Sequence, residues 1–184
     1  MNWFKNLNLP NKLTLIRVLA IPVFLVFLYI SRGIFKFLPF IIFVGAAVTD
    51  AIDGYIARRD NLVTDFGKFM DPLADKLLTI SAFIAFVEIG YISSWVVVLI
   101  ISREFLISGF RTLAASKGVT IAANSWGKIK TIFQMILIIV ILLNHTDYFG
   151  FTEALITPLI AITVLLTVTS GATYIYENLN VINN

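Results

Sequence analysis

Four aspartates stand in a stretch of chain that is otherwise strongly apolar. Asp50 and Asp53 are three residues apart, Asp71 and Asp75 are four apart, and both pairs lie at or within long apolar runs. Such spacings put each pair on one face of a helix. Asp50, Asp53 and Ala57 form one stripe, Gly54 and Arg58 the adjoining one, and Gly67, Asp71 and Asp75 a third. A carboxylate at the centre of a membrane helix costs about 2.5–3.5 kcal/mol or more, so a cluster of four marks function. The four can share protons, or they can hold cations. Oxygen-only donors without Cys or His select hard ions such as Mg²⁺ or Mn²⁺. Two divalent ions would roughly balance four carboxylates, a layout suited to displacement at phosphorus, where ions clamp the attacking and leaving oxygens. Gly54 and Gly67 either let a nucleotide or pyrophosphate approach the helix backbone or allow close helix packing.

The elements that must position these groups follow from composition. The 184 residues are 59% hydrophobic and 14% charged, with a mean hydropathy of +0.91. Soluble chains average about 45–50% apolar and about 25% charged. Charge is too scarce here to cover a water-facing surface, which argues against a soluble globule, a disordered tail or a nucleic-acid-binding domain. The absence of Cys excludes disulfides, thiolate metal sites and cysteine nucleophiles. The single His nearly excludes Ser-His catalysis and His-rich metal sites.

A span needs about 20 mostly apolar residues, and lipid-exposed backbone must satisfy itself internally, which selects helices. Six spans are expected: Lys12 to Ile30, Phe35 to Arg58, Asp71 to Gly90 with a helical lead-in from Gly67, Ser93 to Ala115, Lys128 to Asn144, and Glu153 to Tyr176. The expected fold is an all-α integral membrane protein of six transmembrane helices, a single domain over 1–184. The first span is too long for a cleaved signal peptide, lacks a small-residue cleavage site and is followed by more spans. Met1–Leu9 reads equally as a short interfacial helix or a frayed terminus.

Lys5, Lys12, Arg58, Arg59, Lys68, Lys117, Lys128 and Lys130 cluster on one side of the spans. The positive-inside rule therefore places both termini in the cytoplasm of a cell membrane. Asp50 lies eight residues before Arg58, about 12 Å along a helix, in the cytoplasmic leaflet. The short connection from Arg59 to Phe66 makes spans two and three an antiparallel hairpin, with the two Asp pairs across one cleft that opens to the cytoplasm.

At this point the residues resemble a known family. Asp50-Ala-Ile-Asp53-Gly54-Tyr-Ile-Ala57-Arg58, eight further residues, then Gly67-Lys-Phe-Met-Asp71-Pro-Leu-Ala-Asp75 fills all eight fixed positions of the CDP-alcohol phosphotransferase signature. Leu9-Pro10-Asn11-Lys-Leu-Thr14-Leu-Ile-Arg17, Ser102-Arg103-Glu104-Phe105, Gly127-Lys128-Ile-Lys130-Thr131 and Ser170-Gly171 resemble the phosphatidylglycerophosphate synthase branch. The resemblance implies a six-helix membrane enzyme, usually a homodimer, using two divalent ions (Mg²⁺ or Mn²⁺). It implies transfer of the phosphatidyl group of CDP-diacylglycerol to sn-glycerol 3-phosphate, giving phosphatidylglycerophosphate and CMP. In that pattern Asp50, Asp53, Asp71 and Asp75 bind metal, Asp75 is also the general base, and Asp50, Gly54, Ala57, Arg58 and Gly67 surround the CDP group.

A phosphorylated acceptor needs a second, cationic pocket. Arg103 and Arg111 share one broad face of span four, and Lys128 and Lys130 begin span five; these four are the candidate acceptor phosphate ligands. Snorkelling is the competing reading for Lys128, Lys130 and Arg17. Glu104 is expected to pair with an Arg. Asn11 and Thr14, together with Arg17, are candidates to line the nucleotide site. His145 reads as a solvated loop residue, Asp60 and Asp65 as loop or capping residues, and Trp3, Trp95, Trp126, Tyr148, Tyr174 and Tyr176 as interfacial belt residues. Pro72 is expected near a helix start, where Pro is tolerated. Competing functions are the same chemistry on inositol phosphate or serine, an intramembrane prenyltransferase, and a transporter. Prenyltransferases usually need more spans, and transporters generally place broken helices at the midplane.

Overall fold

In the computed structural model the described residues are 9–59, 65–119, 121, 125–151 and 153–178. Within the helices, the side chains of Asp53, Gly54, Ala57, Arg58, Gly67 and Asp71 lie outside that description. So do the segment expected at the interface, residues 1–8, and the connection 60–64 of the expected hairpin. The described residues form six long helices and no strand: α1 (Leu9–Ile30), α2 (Leu38–Arg59), α3 (Asp65–Glu88), α4 (Ser94–Ser116), α5 (Ser125–Asn144) and α6 (Glu153–Glu177). The all-helical expectation holds. Two starts differ from the sequence reading. The span expected from Phe35 begins as α-helix only at Leu38, because Gly33–Phe37 is a 3₁₀ turn, entered through Gly33 at φ +54°. α3 begins at Asp65, so Pro72 lies within it rather than near its start.

Among the described residues, four segments are long and apolar enough to cross a bilayer: Asn11–Ile30, Gly33–Asp50, Ser125–Asn144 and Ala154–Glu177. Several apolar helices of this kind fit a multi-pass membrane protein. α4 falls outside the set because every stretch of it long enough to span carries Arg103, Glu104 and Arg111. Large apolar side chains such as Leu19, Ile30, Phe105 and Leu165 point outward and stay exposed, as lipid-facing residues do.

The chain forms two compact units. The first comprises residues 1–85 and 142–149. Here α1 and α2 are the closely packed pair: Ile21, Phe24 and Leu28 recur at helical spacing on α1, and Phe43 and Ala46 are buried on α2. The rings of Phe24 and Phe43 meet with centroids 5.9 Å apart at 51°. On α3, Ala74, Leu78 and Ala82 form a buried stripe of small and medium side chains. The second unit comprises residues 86–141 and 150–184. Its contacts run between α4 and α6. α4 buries Val97, Ile100, Ile107, Phe110 and Ala114. α6 buries Thr163, Thr167, Ser170 and Tyr174, a stripe at i, i+4, i+7 and i+11. Thr167 and Ser170 donate their hydroxyls back to the carbonyls of Thr163 and Thr167, at 2.7 and 3.2 Å. Small residues that satisfy themselves in this way let two helices pack closely in a membrane.

Candidate active site

The carboxylate group belongs to the first unit. Asp50 ends the most apolar stretch of α2, and Asp53 follows one turn later on the same helix. Asp71 and Asp75 are one turn apart on α3, and Asp75 is exposed. Asp50 is partly exposed, and its Oδ1 accepts a hydrogen bond from Arg17 Nη1 in an ion pair. Arg17 itself is 1% exposed. Its Nε also donates to the carbonyl oxygen of Ala46, at 3.3 Å. The snorkelling reading of Arg17 is thereby overturned: the side chain turns inward because α2 offers it a carboxylate and a carbonyl. Asn11 and Thr14, expected to line the nucleotide site, are buried on the first turns of α1.

The donor set suits a hard cation. Asp50 and Asp75 present carboxylates at least partly open to solvent, and Asp53 and Asp71 sit at the matching register positions of the same two helices. Oxygen donors of this kind fit divalent Mg²⁺ or Mn²⁺ rather than a thiophilic metal.

The basic group belongs to the second unit. Glu104 Oε1 accepts from Lys130 Nζ and, at 3.4 Å, from Arg103 Nη1. The expected Glu104–Arg pairing is present, and Lys130 joins it. Lys130 is 2% exposed, so it does not snorkel. Arg103 Nε is buried and has no hydrogen-bond partner among the described atoms. Gly171 accounts for how Arg103 lies against α6: a Cβ there would stand 3.2 Å from Arg103 Cγ. Arg111 is held separately. Its Nε donates to Tyr174 Oη at 3.0 Å, and its guanidinium carbon lies 5.4 Å from the Tyr174 ring centre. Lys128 is exposed at the start of α5. The structure thus gathers Arg103 and Lys130 around one carboxylate, binds Arg111 to α6, and leaves Lys128 on the surface.

Tyr174 is the residue that sequence reasoning misplaced. Expected in the interfacial belt, it is 1% exposed, packs edge-on against Phe110 at 6.1 Å, and turns its hydroxyl to Arg111. Its helical register with Thr163, Thr167 and Ser170 was the available signal. Trp95, Trp126, Tyr148 and Tyr176 are exposed, as belt residues would be. His145 lies at the other end of α1 from Arg17. Its Nε2 is 3.2 Å from the carbonyl oxygen of Leu28, a hydrogen bond in the tautomer protonated there.

The fold and these charged clusters fit a helical, multi-pass membrane protein whose scarce polar residues are set as a carboxylate group and a basic group. The sequence pattern of the CDP-alcohol phosphatidyltransferases matches residues 7–169, and the chain belongs to that family. It is 39% identical over 183 residues to the CDP-diacylglycerol–glycerol-3-phosphate 3-phosphatidyltransferase of Bacillus subtilis (strain 168), covering 93% of this chain and 95% of that one. It is 42% identical over 137 residues to the protein of the same name in Rickettsia bellii (strain RML369-C), covering 74% of this chain and 76% of that one. A probable phosphatidylglycerophosphate synthase of Mycobacterium tuberculosis (strain ATCC 25618 / H37Rv) is 37% identical over 171 residues, covering 91% of this chain and 80% of that one. The family generally uses divalent metal ions.

Proposed function

We propose that this protein transfers the phosphatidyl group of CDP-diacylglycerol to sn-glycerol 3-phosphate, releasing phosphatidylglycerophosphate and CMP. The observation that carries the reading is the complete set of eight signature residues on α2 and α3, in a chain resembling enzymes of that name over nearly its full length. The basic cluster of the second unit supports a phosphorylated acceptor over serine, because Arg103, Arg111, Lys128 and Lys130 outnumber the one carboxylate among them, Glu104, and zwitterionic serine brings no net negative charge to balance them.

Asp75 takes the proton of the acceptor hydroxyl. The oxygen so freed forms a bond to the β-phosphorus, the bond from that phosphorus to the bridging oxygen breaks, and CMP leaves with the electron pair. Two divalent ions held by Asp50, Asp53, Asp71 and Asp75 would, when bound, neutralise diphosphate charge and stabilise the leaving oxygen. Gly54, Ala57, Arg58 and Gly67, with Asn11 and Thr14, surround the CDP group. Arg103, Arg111, Lys128 and Lys130 orient the acceptor phosphate. The six helices act as six spans of one catalytic domain, residues 1–184, in a homodimer with both termini and the site on the cytoplasmic side of the cell membrane. Acceptor profiling tests the reading: purified protein with CDP-diacylglycerol and Mg²⁺ or Mn²⁺ should release CMP with glycerol 3-phosphate and far less with serine or inositol phosphate. No CMP release with glycerol 3-phosphate would sink it.

A further inference from the structure

We infer that Arg17 of α1 is the positioning residue for the Asp50 carboxylate, setting its orientation toward the divalent ion without touching substrate; this rests on the metal role proposed above for Asp50. The guanidinium is fixed at two points one helical turn apart on α2: Nε at the carbonyl of Ala46, and Nη1 at Asp50 Oδ1. Such a fork holds the carboxylate in one rotamer, because turning the Asp50 side chain away would break an ion pair in a buried setting. Arg17 has no route to water that would let it act as a mobile cation: its side chain is 0% exposed, while that of Asp50 is 37% exposed. The geometry therefore has one closed end and one open end. The closed end anchors to α1, and the open end faces the place where a ligand arrives.

Depth along the helices explains the match. Arg17 lies thirteen residues before the end of α1 and Asp50 twelve residues after the start of α2, on helices joined only by a 3₁₀ turn. Antiparallel neighbours of that length bring the two to one level. The α1–α2 packing, including the Phe24–Phe43 contact, keeps them there. The charge arithmetic also fits. One guanidinium against four carboxylates leaves three net negative charges. Two divalent ions would turn that into one net positive charge, suited to a diphosphate; without Arg17 the loaded site would be neutral. Partners that orient metal ligands from outside typically matter by about 10–100-fold in metal affinity or activity.

The test compares wild type, Arg17→Lys and Arg17→Gln in detergent as the full chain. Mn²⁺ binding is read without substrate by electron paramagnetic resonance, and CMP release is titrated with metal. Arg17→Lys keeps the buried charge but loses the two-point fork. The expected result is Mn²⁺ binding weakened about tenfold in Arg17→Lys and more in Arg17→Gln, with CMP release falling at limiting metal and recovering largely at saturating metal, and KM for glycerol 3-phosphate unchanged. Arg17→Lys decides alone if Arg17→Gln does not fold. Folded Arg17→Lys that binds Mn²⁺ as tightly as wild type, or more tightly, overturns the inference while leaving the proposed reaction intact. Wild type that neither binds Mn²⁺ nor releases CMP overturns the reaction itself.

Discussion

The two units solve the same problem with opposite signs. In the first, a buried cation, Arg17, holds a partly open carboxylate, Asp50. In the second, a carboxylate, Glu104, holds the buried cation Lys130 and the half-buried Arg103. An isolated charge is costly in an apolar interior, and Asp50, Lys130 and Arg103 each have a counter-charge on their own or another helix. The difference lies in what is left over. In the first unit the four aspartates of α2 and α3, set against Arg17, leave an excess of negative charge within that group, suited to metal ions. The second keeps an excess of positive charge, suited to a phosphate. Each remainder matches one half of the proposed reaction, and the counter-charge fixes geometry rather than doing chemistry.

The sharpest way to break that division is to remove the charge assigned to chemistry. Asp75→Asn should lower CMP release by about 10³-fold, the scale of a lost general base, while CDP-diacylglycerol binding survives. Release within tenfold of wild type would mean that the carboxylate group only binds ions. On the other side, Glu104→Gln removes the charge that Lys130 and Arg103 share. Buried cations without their partner destabilise, so the thermal midpoint should fall and KM for glycerol 3-phosphate should rise about tenfold or more. A lower KM would show that Glu104 restrains the pocket instead of shaping it, and the parallel with Arg17 would fail.

How far these arrangements could be read from the chain differs by level. The six helices were legible because lipid leaves no alternative for long apolar runs, and the carboxylate pairs because charge in such runs is costly. What the spacing could not give was the partner of each charge. Arg17, Lys130 and Tyr174 all have an amphipathic option, with a polar tip that could reach the interface. Only the packing of α1 on α2 and of α4 against α6, and the ion pair of Lys130 on α5 with Glu104 on α4, show that their tips turn inward. The helical lead-in expected from Gly67 is present and begins two residues earlier, at Asp65, which carries Pro72 inside the helix.

A smaller effect refines the second side of the comparison. Tyr174→Phe removes the oxygen that accepts from Arg111 Nε but keeps the ring beneath the guanidinium and against Phe110. Losing one hydrogen bond of about 1 kcal/mol predicts a rise of about fivefold in KM for glycerol 3-phosphate, with kcat little changed. No change in KM would leave Tyr174 a packing residue and Arg111 outside the acceptor pocket.

The smallest effect should come from a third ion pair that lacks burial. Lys36, in the 3₁₀ turn, donates to Asp147, in the loop after α5, and the Asp147 side chain is 74% exposed. Asp147 adopts φ +66°, a left-handed conformation that Asp tolerates better than most residues. The hydrogen bond from Lys36, more than its charge, holds the Asp147 carboxyl below the usual carboxylate range. A carboxyl depressed on folding stabilises above its unfolded pKa, about 3.9, and loses that contribution as pH falls through the depressed value. Lys36→Met should therefore lower the thermal midpoint only slightly at pH 7, with the same small gap down to about pH 5 and a vanishing one in stronger acid. CMP release should not change. Water screens this pair as it cannot screen Arg17–Asp50 or Glu104–Lys130, so the gap between Lys36→Met and Glu104→Gln measures what burial adds. Equal losses of thermal midpoint in the two variants would mean that burial is not what separates the structural ion pairs of this protein from its surface ones.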